Sequence, residues 1–179
     1  MPTKGAPGLD GFNKLTDRQR MNLLLGVCSS PTWARRVLAG APFRSAGALL
    51  DRADRVLTEL PEAEIDAALD GHPRIGATAD NASSAREQAA VITADQSVKA
   101  ELAAKNCEYD HKFGYVYLVC ASGRSAEELL DILTDRLRND PETERRVMRS
   151  ELAKINRLRL ERLLSEPPAG PVTAQGSVS

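Results

Sequence analysis

The chain contains only two histidines, and one of them is well placed for acid–base chemistry. His72 opens the run His72–Gly76, just beyond the end of a predicted helix. Because the residue before a proline is pushed towards extended backbone, Pro73 should hold His72 on a short, stiff turn that can aim its imidazole. The alternative is a solvated turn histidine. His111, beside Asp110 and Lys112, is predicted to be solvated.

A second group of polar residues comprises Ser84, Glu87 and Gln88. At helical spacing Glu87 and Gln88 lie on either side of the Ser84 direction, on a face that also carries Val91. The sequence Ser-x-x-Glu is also a capping box, which would only start a helix. A capping box would explain Ser84 and Glu87 but would give the polar side chain of Gln88 no role.

Arg159 interrupts an apolar stripe on the last predicted helix. The stripe comprises Met148, Leu152, Ile155 and Leu163. An arginine in such a stripe needs an anionic partner or a cavity, although it can also extend its charged end to the surface. Arg162 lies near the edge of the same stripe, so the choice between the two arginines stays open.

The elements that must position these residues are almost all helical. Thr16 with Gln19 is typical of a capping box, Ser30-Pro31 of a helix start, and Pro141 of the start of a long last helix. One helix should run from Ser83 or Ser84 through Ile92. Only the sequence YVYLVCA, residues 115–121, favours extended backbone.

One strand cannot form a sheet. The backbone N–H and C=O groups of an extended segment that crosses a helical bundle must therefore find other partners, and a ligand is one possibility. The prediction is an all-α, single-domain bundle of about eight helices over residues 8–165. Residues 1–7 are predicted to be flexible, and residues 166–179, rich in Pro, Gly and Ser, a disordered tail.

Composition excludes several classes of protein. Of the 179 residues 42% are hydrophobic, but only 4% are aromatic, which disfavours an aromatic-lined barrel. The formal net charge of -1 provides no overall field for a polyanion or a membrane surface, and no apolar run approaches the roughly 20 residues of a membrane helix. Neither a membrane nor a nucleic-acid partner is therefore expected.

Cysteine usage and the N-terminus indicate the compartment. The three cysteines form no CxxC pair and are predicted to be reduced, buried thiols, while two histidines are too few for a zinc site. The first eleven residues lack the apolar stretch of a secretory signal. We therefore expect a cytoplasmic protein with no metal site.

The last helix also suggests a different function. Between Glu144 and Arg162 it carries seven basic residues against three glutamates. Such a helix can bind nucleic acid or a partner protein, although basic runs are usually solvated and no aromatic residues are interleaved here. The alternative function is therefore a non-enzymatic helical binding module.

Four motifs resemble those of one enzyme family and follow one another in the same order as in that family. They are His72–Gly76, Ser84–Gln88, Phe113–Tyr117 and Ile155–Leu160. Together they are similar to the motifs of 2-oxo-4-hydroxy-4-carboxy-5-ureidoimidazoline (OHCU) decarboxylase of urate degradation, over roughly residues 8 to 165. The resemblance implies an all-α enzyme without a cofactor, usually a homodimer, that converts the small molecule OHCU to (S)-allantoin and CO2.

The resemblance also implies roles for individual residues. His72 would be the catalytic acid/base with Glu87 assisting it, and Pro73 would form a wall of the substrate site. Ser84, Gln88 and Arg159 would contact the substrate by their side chains. A further group would contact it largely through backbone atoms: Tyr117, Leu118, Val119, Cys120 and Ala121. Whether Arg162 shares the role of Arg159 stays open.

Overall fold

The computed structural model describes residues 8–76 and 82–165, and no side chain is described for residues 82–84. Ten helices are present in these ranges: α1 (Gly8–Lys14), α2 (Asp17–Val27), α3 (Pro31–Leu38), α4 (Ala46–Glu59), α5 (Glu62–Asp70), α6 (Ala82–Glu87), α7 (Ala89–Ile92), α8 (Gln96–Phe113), α9 (Ala126–Arg136) and α10 (Pro141–Ser165). No strand occurs in the described part of the chain. The predicted all-α class is confirmed.

Helix starts follow the expected capping chemistry. The Thr16 hydroxyl accepts a hydrogen bond from the Gln19 N–H, and the Gln19 side chain accepts one from the Thr16 N–H, which completes the predicted capping box. Ser30 caps α3 with Pro31 at its first turn. At the other end of α8, Gly114 adopts a φ of 80°, a left-handed conformation that glycine tolerates without strain.

The predicted count of about eight helices is too low for two reasons. Residues 8–14 form the additional helix α1. The single helix expected to run through Ile92 is broken at Gln88, whose φ of -102° and ψ of 15° separate α6 from α7. The Gln88 side chain reaches out of this break to accept a hydrogen bond from the Gly76 N–H, 2.9 Å away.

Two apolar clusters fill the interior, and segment 115–121 lies between them. The first cluster packs α1–α5 against α10 around the fully buried Trp33. The second packs α8 and α9 around Leu129. Leu118 belongs to the first cluster, whereas Tyr117 and Val119 belong to the second. This alternation of sides is the signature of extended backbone, so the predicted extended segment is confirmed.

Side chains take the place of a neighbouring strand along this segment. The Arg136 guanidinium donates through Nη1 to the Leu118 carbonyl at 2.6 Å. The Cys120 N–H donates to Glu151 Oε2 on α10 at 2.8 Å. The buried backbone therefore finds the partners that the absence of a sheet demands.

A buried polar network anchors Arg136. Glu144, whose side chain is fully buried, accepts hydrogen bonds from Arg136 Nε at 2.7 Å and from the Tyr109 hydroxyl at 2.5 Å. Asn139 donates to its second oxygen at 3.0 Å. Burial and this hydroxyl–carboxylate bond raise the pKa of Tyr109 well above its ordinary value, so the phenol stays a donor.

The cysteines correct one expectation. Cys28 is buried and Cys120 is half-buried, but Cys107 is exposed on α8 because its position faces away from the second cluster. All three are free thiols. Residues 1–7 and 166–179, predicted to be flexible or disordered, lie outside the described residues. No helix within the described ranges has the length and apolar character needed to cross a bilayer.

Replacing Glu144 by alanine should lower the free energy of unfolding by about 3–5 kcal/mol, because it leaves the Arg136 charge buried without its partner. Glu142→Ala is the matched control, since Glu142 is a glutamate on the same helix with 85% of its side chain exposed. That control should change stability by less than about 1 kcal/mol. Urea unfolding of both variants makes the comparison, and equal losses would contradict the role given to Glu144.

Candidate active site

A narrow cleft opens where the turn after α5, the break between α6 and α7, segment 115–121 and α10 meet. Its cavity volume is only about 20 Å³. The cleft is lined by His72, Pro73, Ile75, Glu87, Gln88, Tyr117, Leu118, Val119, Ala121, Ile155 and Arg159.

Nine of the eleven residues proposed from the sequence line this cleft. The two exceptions are Ser84 and Cys120. Ser84 lies within α6, but its side chain is outside the described residues. Cys120 does not line the cleft; its side chain packs on the first apolar cluster, and its N–H is bonded to Glu151. Ile75 and Ile155 also line the cleft, although neither was among the site residues proposed from the sequence.

The His72 imidazole is held in one orientation by the end of α5. Its Nδ1 lies 3.0 Å from the Ala68 carbonyl oxygen. A carbonyl can only accept, so Nδ1 carries the proton and the neutral ring leaves Nε2 as a bare acceptor. Nε2 is buried and makes no hydrogen bond within the described chain. His72, which lines the cleft, therefore carries an unsatisfied basic nitrogen.

The charge state of His72 follows from its surroundings. Burial, and then the positive charge of Arg159, lower the pKa of His72 below its ordinary value, while the Ala68 hydrogen bond and the Glu87 charge raise it less strongly. The ring is thus neutral at neutral pH. The Ala68 carbonyl, and not Glu87, therefore fixes the tautomer of His72.

Glu87 and Arg159 form a bidentate ion pair that links α6 to α10. Arg159 Nε lies 2.8 Å from Glu87 Oε1, and Nη2 lies 3.0 Å from Oε2. Arg159 Nη1 also donates to the Val27 carbonyl at 3.1 Å. Side-chain exposure is 8% for Arg159 and 10% for Glu87, so this pair is largely removed from water. Glu87 is therefore not the end of a capping box, and α6 begins before Ser84.

Gln88 and Asn106 fix the turn that follows His72. Gln88 accepts the Gly76 N–H, and the buried Asn106 amide donates to the Ile75 carbonyl at 3.2 Å. Gly76 itself has a φ of 89°, which only glycine adopts readily. At the break between α6 and α7, the Gln88 side chain thus holds the turn that carries His72.

Arg162 stands beside the same carboxylate. Its Nη1 lies 3.7 Å from Glu87 Oε1 and its Nη2 donates to the Ser122 hydroxyl at 3.3 Å. Nη1 is buried and forms no hydrogen bond to any described residue. Among the described residues, two guanidinium groups therefore face one carboxylate.

Two backbone donors on the segment remain unused. Val119 and Ala121 line the cleft, and neither N–H forms a hydrogen bond with any described residue. In extended backbone the polar groups of successive residues point to opposite sides. Since Leu118 O and Cys120 N point towards Arg136 and Glu151, the Val119 and Ala121 N–H groups point the other way.

The basic residues of α10 are engaged within the chain. Each of the seven lies within 4 Å of a carboxylate: Arg145 of Glu62 and Asp66, Arg146 of Glu142, Arg149 of Glu62, Lys154 of Glu151, Arg157 of Asp54 and Glu161, and Arg159 and Arg162 of Glu87. This pairing weakens the alternative of a basic binding helix. No cluster of three or more His, Cys, Asp or Glu suited to a metal ion occurs among the described residues.

Several residues that support the cleft were missed by the sequence analysis. Arg136, Glu144 and Glu151 hold segment 115–121, and Asn106 holds the turn at Ile75. The positions of two of these residues could have indicated their role. Glu144 and Glu151 are seven residues apart, about two helical turns, and Glu151 is next to Leu152 of the apolar stripe. A carboxylate beside that stripe calls for a buried partner.

The family model of OHCU decarboxylase matches residues 13–161. The chain belongs to this family. A uric acid degradation bifunctional protein of Arabidopsis thaliana is 31% identical over 147 residues, covering 78% of this chain and 45% of that protein. The chain thus spans less than half of that curated relative. A 2-oxo-4-hydroxy-4-carboxy-5-ureidoimidazoline decarboxylase of Amia calva is 28% identical over 144 residues, covering 76% of this chain and 82% of that protein.

Solved structures agree with this family membership. An OHCU decarboxylase crystallised in the presence of (S)-allantoin superposes with a TM-score of 0.72 and 27% identity, covering 84% of this chain and 99% of that one. An (S)-allantoin synthase has the same fold, with a TM-score of 0.71 and 14% identity, and covers 87% of this chain and 54% of that one.

Arg159→Ala should lower the free energy of unfolding by about 3–5 kcal/mol, because it leaves the largely buried Glu87 without its bidentate partner. Arg157→Ala is the control, since Arg157 lies two residues away and pairs with Asp54 with both side chains about 40% exposed. It should cost less than about 1 kcal/mol. Thermal and urea unfolding compare them; a loss for Arg159→Ala no larger than for Arg157→Ala would contradict a buried anchoring pair.

Proposed function

We propose that this chain is a decarboxylase that converts OHCU to (S)-allantoin and CO2 in urate degradation. The observation that carries the proposal is the buried Nε2 of His72, which has no partner among the described residues and lies in a cleft that the Glu87–Arg159 pair also lines. Family membership supports the same reaction, since curated relatives are named for it.

The reaction itself supplies an electron sink. The carbon that loses CO2 also carries a hydroxyl and adjoins a ring C=N bond. When its bond to the carboxylate breaks, the electron pair forms a C=C bond to the neighbouring ring carbon, and the former C=N nitrogen takes up the charge and then a proton from water. The enzyme must then remove the hydroxyl proton and deliver a proton to one face of the neighbouring carbon. A bound cofactor is therefore not expected.

His72 is proposed as the acid/base for both proton movements. Its neutral ring can accept the hydroxyl proton at Nε2 while Nδ1–H stays bonded to the Ala68 carbonyl. Burial and the Arg159 charge disfavour the resulting imidazolium more strongly than the Glu87 charge favours it, so it readily returns the proton from the same nitrogen. Delivery from a fixed nitrogen to one face would set the handedness of the product.

Charge complementarity supports an anionic substrate. Arg159 and Arg162 carry two positive charges against the single Glu87 carboxylate, and His72 is neutral. Two guanidinium groups beside one described carboxylate suit a substrate that itself carries a carboxylate. Arg159, held in place by Glu87, is proposed to contact the substrate through its guanidinium, with Arg162 adding to the field.

The remaining contacts are proposed to orient the ring. Pro73 would form one wall of the site, while Gln88 and Ser84 would offer polar side chains. Segment 117–121 would contact the ring largely through its backbone, for which the unbonded N–H groups of Val119 and Ala121 are suited. Cys120 would contribute only through its position in this backbone, since its N–H is held by Glu151.

We further propose a cytoplasmic homodimer. The free thiols of Cys28, Cys107 and Cys120 suit a reducing compartment, and a homodimer is what the family resemblance implies. The competing proposal, a binding module that uses α10, is less favoured because its basic side chains are paired within the chain.

His72→Asn should reduce (S)-allantoin formation by about 10²- to 10⁴-fold, because it removes the proposed acid/base. Product is followed by circular dichroism, with OHCU generated in situ by urate oxidase and hydroxyisourate hydrolase. His111→Asn, at an exposed position on α8, should keep wild-type activity. A His72→Asn variant that is folded yet retains more than about a tenth of the wild-type rate would refute this role, and an inactive wild-type chain would refute the proposed reaction.

Glu87→Gln should move the acidic limb of the kcat/KM profile to lower pH. Glu87 raises the pKa of His72 through its charge, so its neutral analogue lowers that pKa further, and this limb reports the base of the free enzyme. Asp54→Asn is the matched control: it neutralises a carboxylate paired with another α10 arginine, Arg157. A limb that stays in place, or moves to higher pH, would contradict the coupling of Glu87 to His72.

A further inference from the structure

The extended segment is held on one side only, and this asymmetry bears on how the cleft binds its ligand. Glu151 accepts the Cys120 N–H at 2.8 Å through Oε2, and its Oε1 accepts from Lys154 at 2.8 Å. Glu151 is 8% exposed, so it is a buried carboxylate used to hold one peptide group. It does not line the cleft.

A second carboxylate acts on the same side. Glu144, seven residues earlier on α10, holds Arg136, which in turn donates to the Leu118 carbonyl at 2.6 Å. Seven residues are close to two full turns, so Glu144 and Glu151 share a helix face. Arg136, held by Glu144, and Glu151 thus bond to alternate residues of the segment, as a neighbouring strand would.

The bonds to the Leu118 carbonyl and the Cys120 N–H determine the direction of the Val119 N–H. Since successive peptide groups alternate in direction, the bonds on one side turn the Val119 and Ala121 N–H groups to the other side. Both residues line the cleft, and neither N–H has a partner among the described residues. Buried N–H groups of this kind bind acceptors well, because leaving them unpaired is costly.

We propose that Glu151 is a positioning residue: by holding the Cys120 N–H, it presents the neighbouring N–H groups of Val119 and Ala121 to the carbonyl or carboxylate oxygens of the ligand. The inference rests on the proposed function for the identity of that ligand. Glu151 itself does not touch it. Without Glu151 the peptide groups at 119–121 can rotate, and the donors lose their common direction.

The test compares Glu151→Ala, Glu151→Gln and Glu161→Ala in the full chain. Gln keeps an amide oxygen that can accept the Cys120 N–H, whereas Ala does not. We expect Glu151→Ala to raise KM about 10-fold or more, the effect of losing roughly one charge-assisted hydrogen bond. Glu151→Gln should restore KM to within about threefold of wild type. Glu161→Ala is the control, because Glu161 is a half-exposed α10 glutamate paired with Arg157.

Two outcomes would overturn the proposal. One is a Glu151→Ala variant that is less stable but has an unchanged KM, measured well below its unfolding temperature, because a purely structural role predicts that result. The other is a Glu151→Gln variant as impaired as Glu151→Ala, because the carboxylate charge rather than the hydrogen bond would then matter.

A second measurement separates this proposal from the proposed function. Amide hydrogen exchange at Cys120 should be slow in the wild type and in Glu151→Gln, and at least 10-fold faster in Glu151→Ala. This readout needs no activity. An inactive wild type with this exchange pattern would refute the proposed reaction alone, whereas unchanged exchange in Glu151→Ala would refute the positioning role alone.

Discussion

A stretch of extended backbone buried inside a helical bundle has no neighbouring strand, and the rest of this structure is arranged around that constraint. Segment 115–121 needs donors and acceptors that helices cannot provide from their own backbones. Buried side chains supply them: Arg136 bonds to the Leu118 carbonyl and Glu151 to the Cys120 N–H. Charges are costly to bury, so Arg136 requires Glu144, and Glu144 in turn requires Tyr109. The N–H groups of Val119 and Ala121, to which no described residue bonds, lie on the side of the cleft.

In the cleft, too, buried polar side chains are held by partners within the chain. The Glu87–Arg159 pair is buried and bidentate, which ties α6 to α10 and sets the electrostatics around His72. Burial and the arginine keep the imidazole neutral, and the Ala68 carbonyl selects the tautomer. Each part of the site is thus held by a partner other than the ligand. Such an arrangement reduces the reorganisation needed when charge develops during a reaction.

The sequence predicted the fold class because the helix signals are local: capping residues, apolar spacing and the extended composition of residues 115–121 all act within one element. Most cleft-lining residues were predicted through the ordered motifs rather than through physics alone. The break at Gln88 was not foreseen, because the hydrogen bond that its side chain accepts there comes from the Gly76 N–H, in a different part of the chain. The roles of Arg136 and Glu151 were missed for the same reason: their partners are 18 and 31 residues away. The position of Glu151 beside the apolar stripe indicates that it needs a buried partner, but the sequence does not show which residue that partner is.

The central claim is that the site is built around a neutral His72 whose Nε2 is bare, and nitrogen-15 NMR of the imidazole tests it most directly. With the histidines labelled, and His111 removed by substitution to assign the signals, the account predicts that His72 at pH 7 is neutral with its proton on Nδ1. On acidification it should protonate only below the ordinary histidine pKa. An imidazolium at pH 7, or a neutral ring with its proton on Nε2, would contradict the account.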